Sequence, residues 1–143
     1  MNTKLIKDFV RLAHSDLTSS SLPGPDQEYA SSYAKAEFHS KGKQVLRAIA
    51  KEMGLESGTY DVRSNLGGVA VSGEVALHGE HIYIQFSQSC AGLQDRFMYR
   101  ACEGRKDYCG RKNHWMLWED LYDLPRACEV FKRVAEPLFM VID

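Results

Sequence analysis

The chain has 143 residues, 44% of them hydrophobic and 26% charged. That is enough for one core and too little for two, with the composition of a soluble globular protein. A formal net charge of −1 excludes a polycation built to coat nucleic acid, so any anion binding must come from a local patch.

One domain over 1–143 is therefore expected. Cys90, Cys102, Cys109 and Cys128 follow no paired motif and are read as reduced, mostly structural thiols. The N-terminus has no uninterrupted apolar run and no small-residue cleavage site, so no signal peptide is expected. No apolar run approaches the ~20 residues that span a bilayer. The expected setting is cytoplasmic, with no membrane partner.

Leu5, Ile6, Phe9, Val10, Ala13 and Leu17 recur at helical spacing, with Asn2 or Thr3 to cap the start. Thr18 to Pro25 breaks this helix as a short loop. A second helical region is predicted from about Asp26 to Met53, with Pro25 as initiator and Gly54 as stop. Gly42 interrupts its two halves and marks a kink, a break or a close contact. Lys41, Lys43, Arg47 and Lys51 form its basic, solvated side.

Three alternating runs follow, Thr59–Leu66, Val69–His78 and His81–Ser89, separated by Gly67-Gly68 and Gly79-Glu80. Both dipeptides suit tight hairpin turns. Pairing outward from Gly79-Glu80 sets Leu77 against Ile82, Val75 against Ile84 and Gly73 against Phe86. Pairing outward from Gly67-Gly68 sets Val62 against Gly73 and Tyr60 against Val75. Both registers collect the apolar residues on one side, an agreement that a one-residue slip would destroy. The other side carries Asp61, Arg63, Asn65, Ser72, Glu74, Tyr83, Gln85 and Ser87, with His78 and His81 beside the turn.

Cys90 to Asp95 is a loop, and Arg96 to Cys102 alternates again as a fourth strand. The next segment, Glu103 to Asn113, is turn-rich and holds two basic pairs. His114 to Leu124 is a short helix or an aromatic plug. Pro125 opens a last helix that Pro137 ends, followed by an apolar tail to Asp143. The predicted fold is α+β: an antiparallel four-stranded meander with two N-terminal helices and a C-terminal helix packed on one face. The polar face is left free or half free.

Candidate chemistry lies on that face and in the basic segment. Arg105, Lys106, Arg111 and Lys112 lie near Tyr108 and Trp115. Cations offer phosphate contacts and rings stack on bases, although Glu103 and Asp107 dilute the charge. Arg63, Glu74, Tyr83 and Gln85 mix charge, ring and amide as interfaces do. His78 and His81, expected as cross-strand neighbours, have no cysteine or carboxylate to complete a metal set and are assigned to an exposed hairpin tip. Cys102, Cys109 and His114 match no common zinc spacing. Asp61 and Glu74, expected to face each other, are read as part of an ion-paired surface with Arg63. Cys90 lacks a nucleophile signature, and no phosphate loop is present. No catalytic residue, metal or cofactor is assigned.

The strings from Asn65 to His78 and from Tyr99 to Gly110 resemble small accessory proteins of bacterial plasmids and phages. That resemblance implies a bacterial cytoplasm and interference with host machinery, including restriction or CRISPR-type defence. The expected function is a non-enzymatic binding protein that docks on a host protein or nucleoprotein. Its binding residues are Arg63, Glu74, Tyr83, Gln85, Arg105, Lys106, Tyr108, Arg111 and Lys112. Two alternatives stand beside it: direct nucleic-acid binding by the 105–112 loop, and a small enzyme with a Cys or His site.

Overall fold

The computed structural model describes residues 3–15, 25–66, 73–88 and 95–139, without the side chains of 25–32 and 137–139. The expected cap at Asn2, the loop after Leu17, the Gly67-Gly68 turn, Ser72, Cys90 and the last four residues lie outside the described residues. Helices α1 (Thr3–His14) and α2 (Pro25–Met53) precede five strands. These are β1 (Asp61–Asn65), β2 (Glu74–His78), β3 (Ile82–Phe86), β4 (Arg96–Ala101) and β5 (His114–Leu117). A 3-10 segment, Trp118–Tyr122, leads into α3 (Leu124–Phe139). The strands form one antiparallel sheet in chain order.

The fold is therefore α+β, and the described residues form three α-helices and a sheet of five strands where four were expected. The extra strand comes from His114 to Leu117, where the sequence predicts a short helix or an aromatic plug. Four residues are too few to display a period of two, and three of these are apolar or aromatic. Their place is fixed by pairing, with Met98 opposite Trp115 and Phe97 opposite Met116.

The helices follow local rules. In α1, Ile6, Phe9, Val10 and Ala13 form the buried stripe. Its C-terminal carbonyls are met from the sheet, where the Gln88 amide donates to Ala13 O at 2.7 Å and Ser15 O at 2.6 Å. Gly54 ends α2 in the left-handed region, φ 77°, with Leu55 N donating to Ala50 O at 2.9 Å. Asp123 caps α3, its Oδ1 accepting from Arg126 N at 3.3 Å. The helix runs to Phe139, two residues past Pro137, which was expected to end it.

Helix α2 is continuous through Gly42. The glycine is a close contact, since a Cβ there would lie 3.3 Å from Phe9 Cε1 and 3.5 Å from Val75 Cγ2. Helix α2 lies over β1 and β2, and α3 over β3 and β4. Helix α1 packs on α2 and the 3-10 segment, reaching the sheet through Phe9. The core between the layers is aromatic. Trp118 touches Phe9, Phe86 and Phe97 with ring centroids 5.6, 5.5 and 5.2 Å away.

The hairpin registers differ from expectation by even steps. Leu77 faces Ile84 rather than Ile82, a shift of two. Val62 faces Leu77 rather than Gly73, a shift of four. Even shifts keep each residue on its side, so the apolar face still points to the helices. The cause at β2–β3 is the turn. Gly79 is a flanking residue whose N–H donates to Ile82 O at 2.8 Å, which leaves Glu80 and His81 at the bend. Its φ lies outside the left-handed region. Gly73 faces neither Val62 nor Phe86. It adopts φ +74° against Asn65 O and the His39 ring.

Candidate functional site

The face away from the helices carries Asp61, Arg63, Glu74, Ala76, His78, Tyr83, Gln85, Met98, Arg100, Trp115 and Leu117, as the cross-strand register dictates. Residues 102–113 fold back over part of it. Two arginines hold this loop. Arg105 donates to both oxygens of Asp61, at 2.7 and 3.2 Å, and to Gly58 O at 2.8 Å. Arg100 donates to Tyr108 O at 2.8 Å and lies over the Tyr83 ring, 4.5 Å from its centroid.

The loop is also tied from within. Asp107 accepts from the amides of Gly110, Glu103 and Cys109 at 2.8, 2.9 and 3.2 Å. Those amide bonds, the Gly110 one foremost, hold its carboxyl below the usual range. Gly110 sits at φ +62°, where a Cβ would meet Arg100 Nε at 2.5 Å.

His78 is the centre of the arrangement. It is fully buried, with Nε2–H donating to Gly104 O at 2.9 Å and Nδ1 accepting from Arg63 at 2.8 Å. The carbonyl can only accept and Arg63 can only donate, so this arrangement takes the neutral Nε2–H tautomer and satisfies both nitrogens. Burial pushes its pKa down, and the Arg63 and Arg100 charges act in the same direction. Tyr83 and Tyr108 meet its ring edge-on at 5.1 and 5.5 Å.

Several sequence expectations change here. His78 is not at an exposed tip, and its cross-strand partner is Tyr83 rather than His81. Asp61 faces His78, while Glu74 faces Asn65, so the two carboxylates are not neighbours. Cys102 is buried on this face, whereas His114 stacks on Tyr99 on the helix-facing side, 5.4 Å between centroids. Among the described residues no group of His, Cys, Asp or Glu is placed to hold a metal ion. Tyr83 is buried against Ala76, Met98 and Cys102, with its hydroxyl donating to Gln85 Oε1 at 2.9 Å. It supports the surface rather than presenting itself.

The basic segment divides in two. Arg105 is spent on Asp61, and Arg111 donates to Glu103 Oε1 at 2.6 Å. Lys106 and Lys112 are exposed and take part in no described ion pair. Arg63, Arg105 and Tyr108 meet in one cluster with His78, so the polar sheet side and the basic loop form one surface. Glu74 and Gln85 lie farther along it.

Sequence reading missed Arg100, Trp115 and Leu117 as members of this face. Trp115 is 43%, Leu117 42% and Tyr108 62% exposed. The pairing of His114–Leu117 with Arg96–Tyr99 places Trp115 and Leu117 here, and those four residues carried no period that could announce it. Sequence reading also missed a serine–histidine contact, His39 Nδ1 to Ser64 Oγ at 2.7 Å. That pair joins α2 to edge strand β1. A Cβ at Gly73 would stand 2.8 Å from His39 Nε2, so backbone closes off the ring's other nitrogen.

Of the described cysteines, Cys102 and Cys128 are buried as structural thiols are, and Cys109 is exposed. Cys128 is buried, donates to Ile49 O at 3.8 Å, and burial pushes its thiol up to about 12. Among the described residues no helix is long and apolar enough to cross a membrane. No protein-family model, curated protein or solved structure matches the chain.

Proposed function

We propose that this chain is a non-enzymatic binding protein of a bacterial mobile element. Its loop-covered sheet face docks on a host protein or nucleoprotein in the cytoplasm, and the outcome of docking is interference with a defence system such as restriction or CRISPR. The observation that carries the reading is the exposure of Tyr108, Trp115 and Leu117 on a face that none of the described helices covers. Aromatic side chains on a rigid sheet are what interface centres use, because they offer large contact area at little entropic cost. The host setting rests on the resemblance of the Asn65–His78 and Tyr99–Gly110 strings.

The test is affinity capture from bacterial lysate, with and without nuclease treatment. A defined host partner, retained in stoichiometric amount and lost on mutation of Trp115 and Leu117 to serine, is the expected result. Recovery of nothing above an unrelated bait would refute the reading.

A further inference from the structure

Resting on the docking reading of this face, we infer that it takes single-stranded nucleic acid directly. Tyr108 and Trp115 stack on bases, and Arg63, Arg100, Lys106 and Lys112 meet the phosphates. The charge pattern carries the inference. Three basic residues at this face are neutralised at short range: Arg105 by Asp61, Arg111 by Glu103 and Arg96 by Asp95. The remaining four have no described carboxylate partner. Arg63 bonds to a neutral imidazole and a phenol, and Arg100 to a backbone carbonyl and an amide oxygen. Hydrogen bonds to neutral acceptors orient a guanidinium without cancelling its charge.

The carboxylates facing this cluster are few. Asp107, tied to three backbone amides, keeps its charge and offsets part of that of Arg100, and Glu74 stands at the far end of β2, opposite Asn65. A chain with net charge −1 therefore concentrates uncompensated positive charge on one side. Two exposed rings lie on that same side. Rings stack on bases only where the bases are unpaired, and none of the described helices projects from this face to enter a duplex groove. The combination fits a single strand better than a duplex.

The test is fluorescence anisotropy with a labelled mixed-sequence RNA, the matching DNA strand and the DNA duplex, across about 50 to 200 mM salt. The single strands are expected to bind more tightly than the duplex. Lys106→Ala with Lys112→Ala should flatten the log–log salt slope by about 1.4, near 0.7 per lost phosphate contact. Trp115→Ala should weaken binding about fivefold or more, and Trp115→Tyr should restore most of it. Arg47→Ala with Lys51→Ala removes the same charge from the helix side and should change neither value. Circular dichroism checks that each variant is folded.

No binding at the lowest salt overturns the inference, as does a folded Trp115→Ala protein with wild-type affinity. If lysate capture still survives nuclease and fails in the Trp115 variant, the face takes protein instead; the docking reading then stands and this one falls.

Discussion

Arg105 clamps Asp61 with two parallel hydrogen bonds, at 2.7 and 3.2 Å, joining the 102–113 loop to edge strand β1 across 44 residues of chain. The fork geometry matches a carboxylate in a way lysine cannot. Arg105→Lys is therefore expected to behave like Arg105→Ala. Both should speed amide exchange in 103–113 and leave β2 and β3 protected, as read by hydrogen–deuterium exchange. Unchanged exchange in the loop would mean that Arg105 does not hold it.

The same pair has a pH signature. The Arg105 hydrogen bonds hold the Asp61 carboxyl below its ordinary 3.8. A depressed carboxylate stabilises the fold above the unfolded value, and that contribution is lost as pH falls through the folded value. Acid titration by loop exchange should show a step in wild type, below the ordinary carboxylate range, that Asp61→Asn lacks because its loop is already loosened at neutral pH. Identical acid profiles for the two proteins would contradict this.

His78 gives a second window. Its folded value lies below the ordinary 6.5, chiefly from burial. The unfolded chain then binds the extra proton, so stability is full above 6.5 and falls as pH drops from there toward the depressed folded value. Protonation would also place a cation between Arg63 and Arg100, with Asp107 as the opposing charge. Denaturant midpoints measured down from pH 7 should fall more steeply in wild type than in His78→Gln. Parallel curves would show that this ring stays neutral without consequence.

These relationships were only partly legible in the sequence. Period two in Glu74–His78 and Ile82–Phe86 placed each residue on the correct side, and even register shifts did no harm to that assignment. The turn centre was not legible, because Gly79 suggested a bend and in fact flanks one. Neither was Tyr83's burial, since composition does not say which polar face a distant loop will cover. Gly42 offered three readings, and only the neighbouring Phe9 and Val75 choose between them. At the site, Arg63, Arg105 and Tyr108 could be nominated separately. Arg63 and Tyr108 meet at His78, and Arg105 at its cross-strand neighbour Asp61, through contacts far apart in sequence.

Two glycines should respond differently to substitution. Gly73→Ala forces a Cβ to 2.6 Å from Asn65 O at φ +74°, a strain backbone cannot relieve cheaply. It should cost about 2 kcal/mol or more. Gly42→Ala meets only side chains and gains helix propensity, so it should be near neutral. Gly42→Val overpacks Phe9 and should cost about 1–3 kcal/mol. Urea melts decide, and a stable Gly73→Ala would contradict the local geometry.

Trp118 is the largest fully buried side chain and joins α1 to the sheet through Phe9, Phe86 and Phe97. Trp118→Ala should cost about 3–5 kcal/mol by thermal or urea denaturation, whereas Trp115→Ala should cost under about 1 kcal/mol. Equal losses would mean that Trp115 is not on the outer face.

The most direct measurement sets the two sides of the molecule against each other in lysate capture. One bait carries Trp115→Ser with Leu117→Ser on the open sheet face. The other carries Arg47→Ser with Lys51→Ser on α2. Capture of the host partner should be lost with the first and kept with the second. Retention by the sheet variant and loss by the helix variant would contradict the assignment of the sheet face as the working surface.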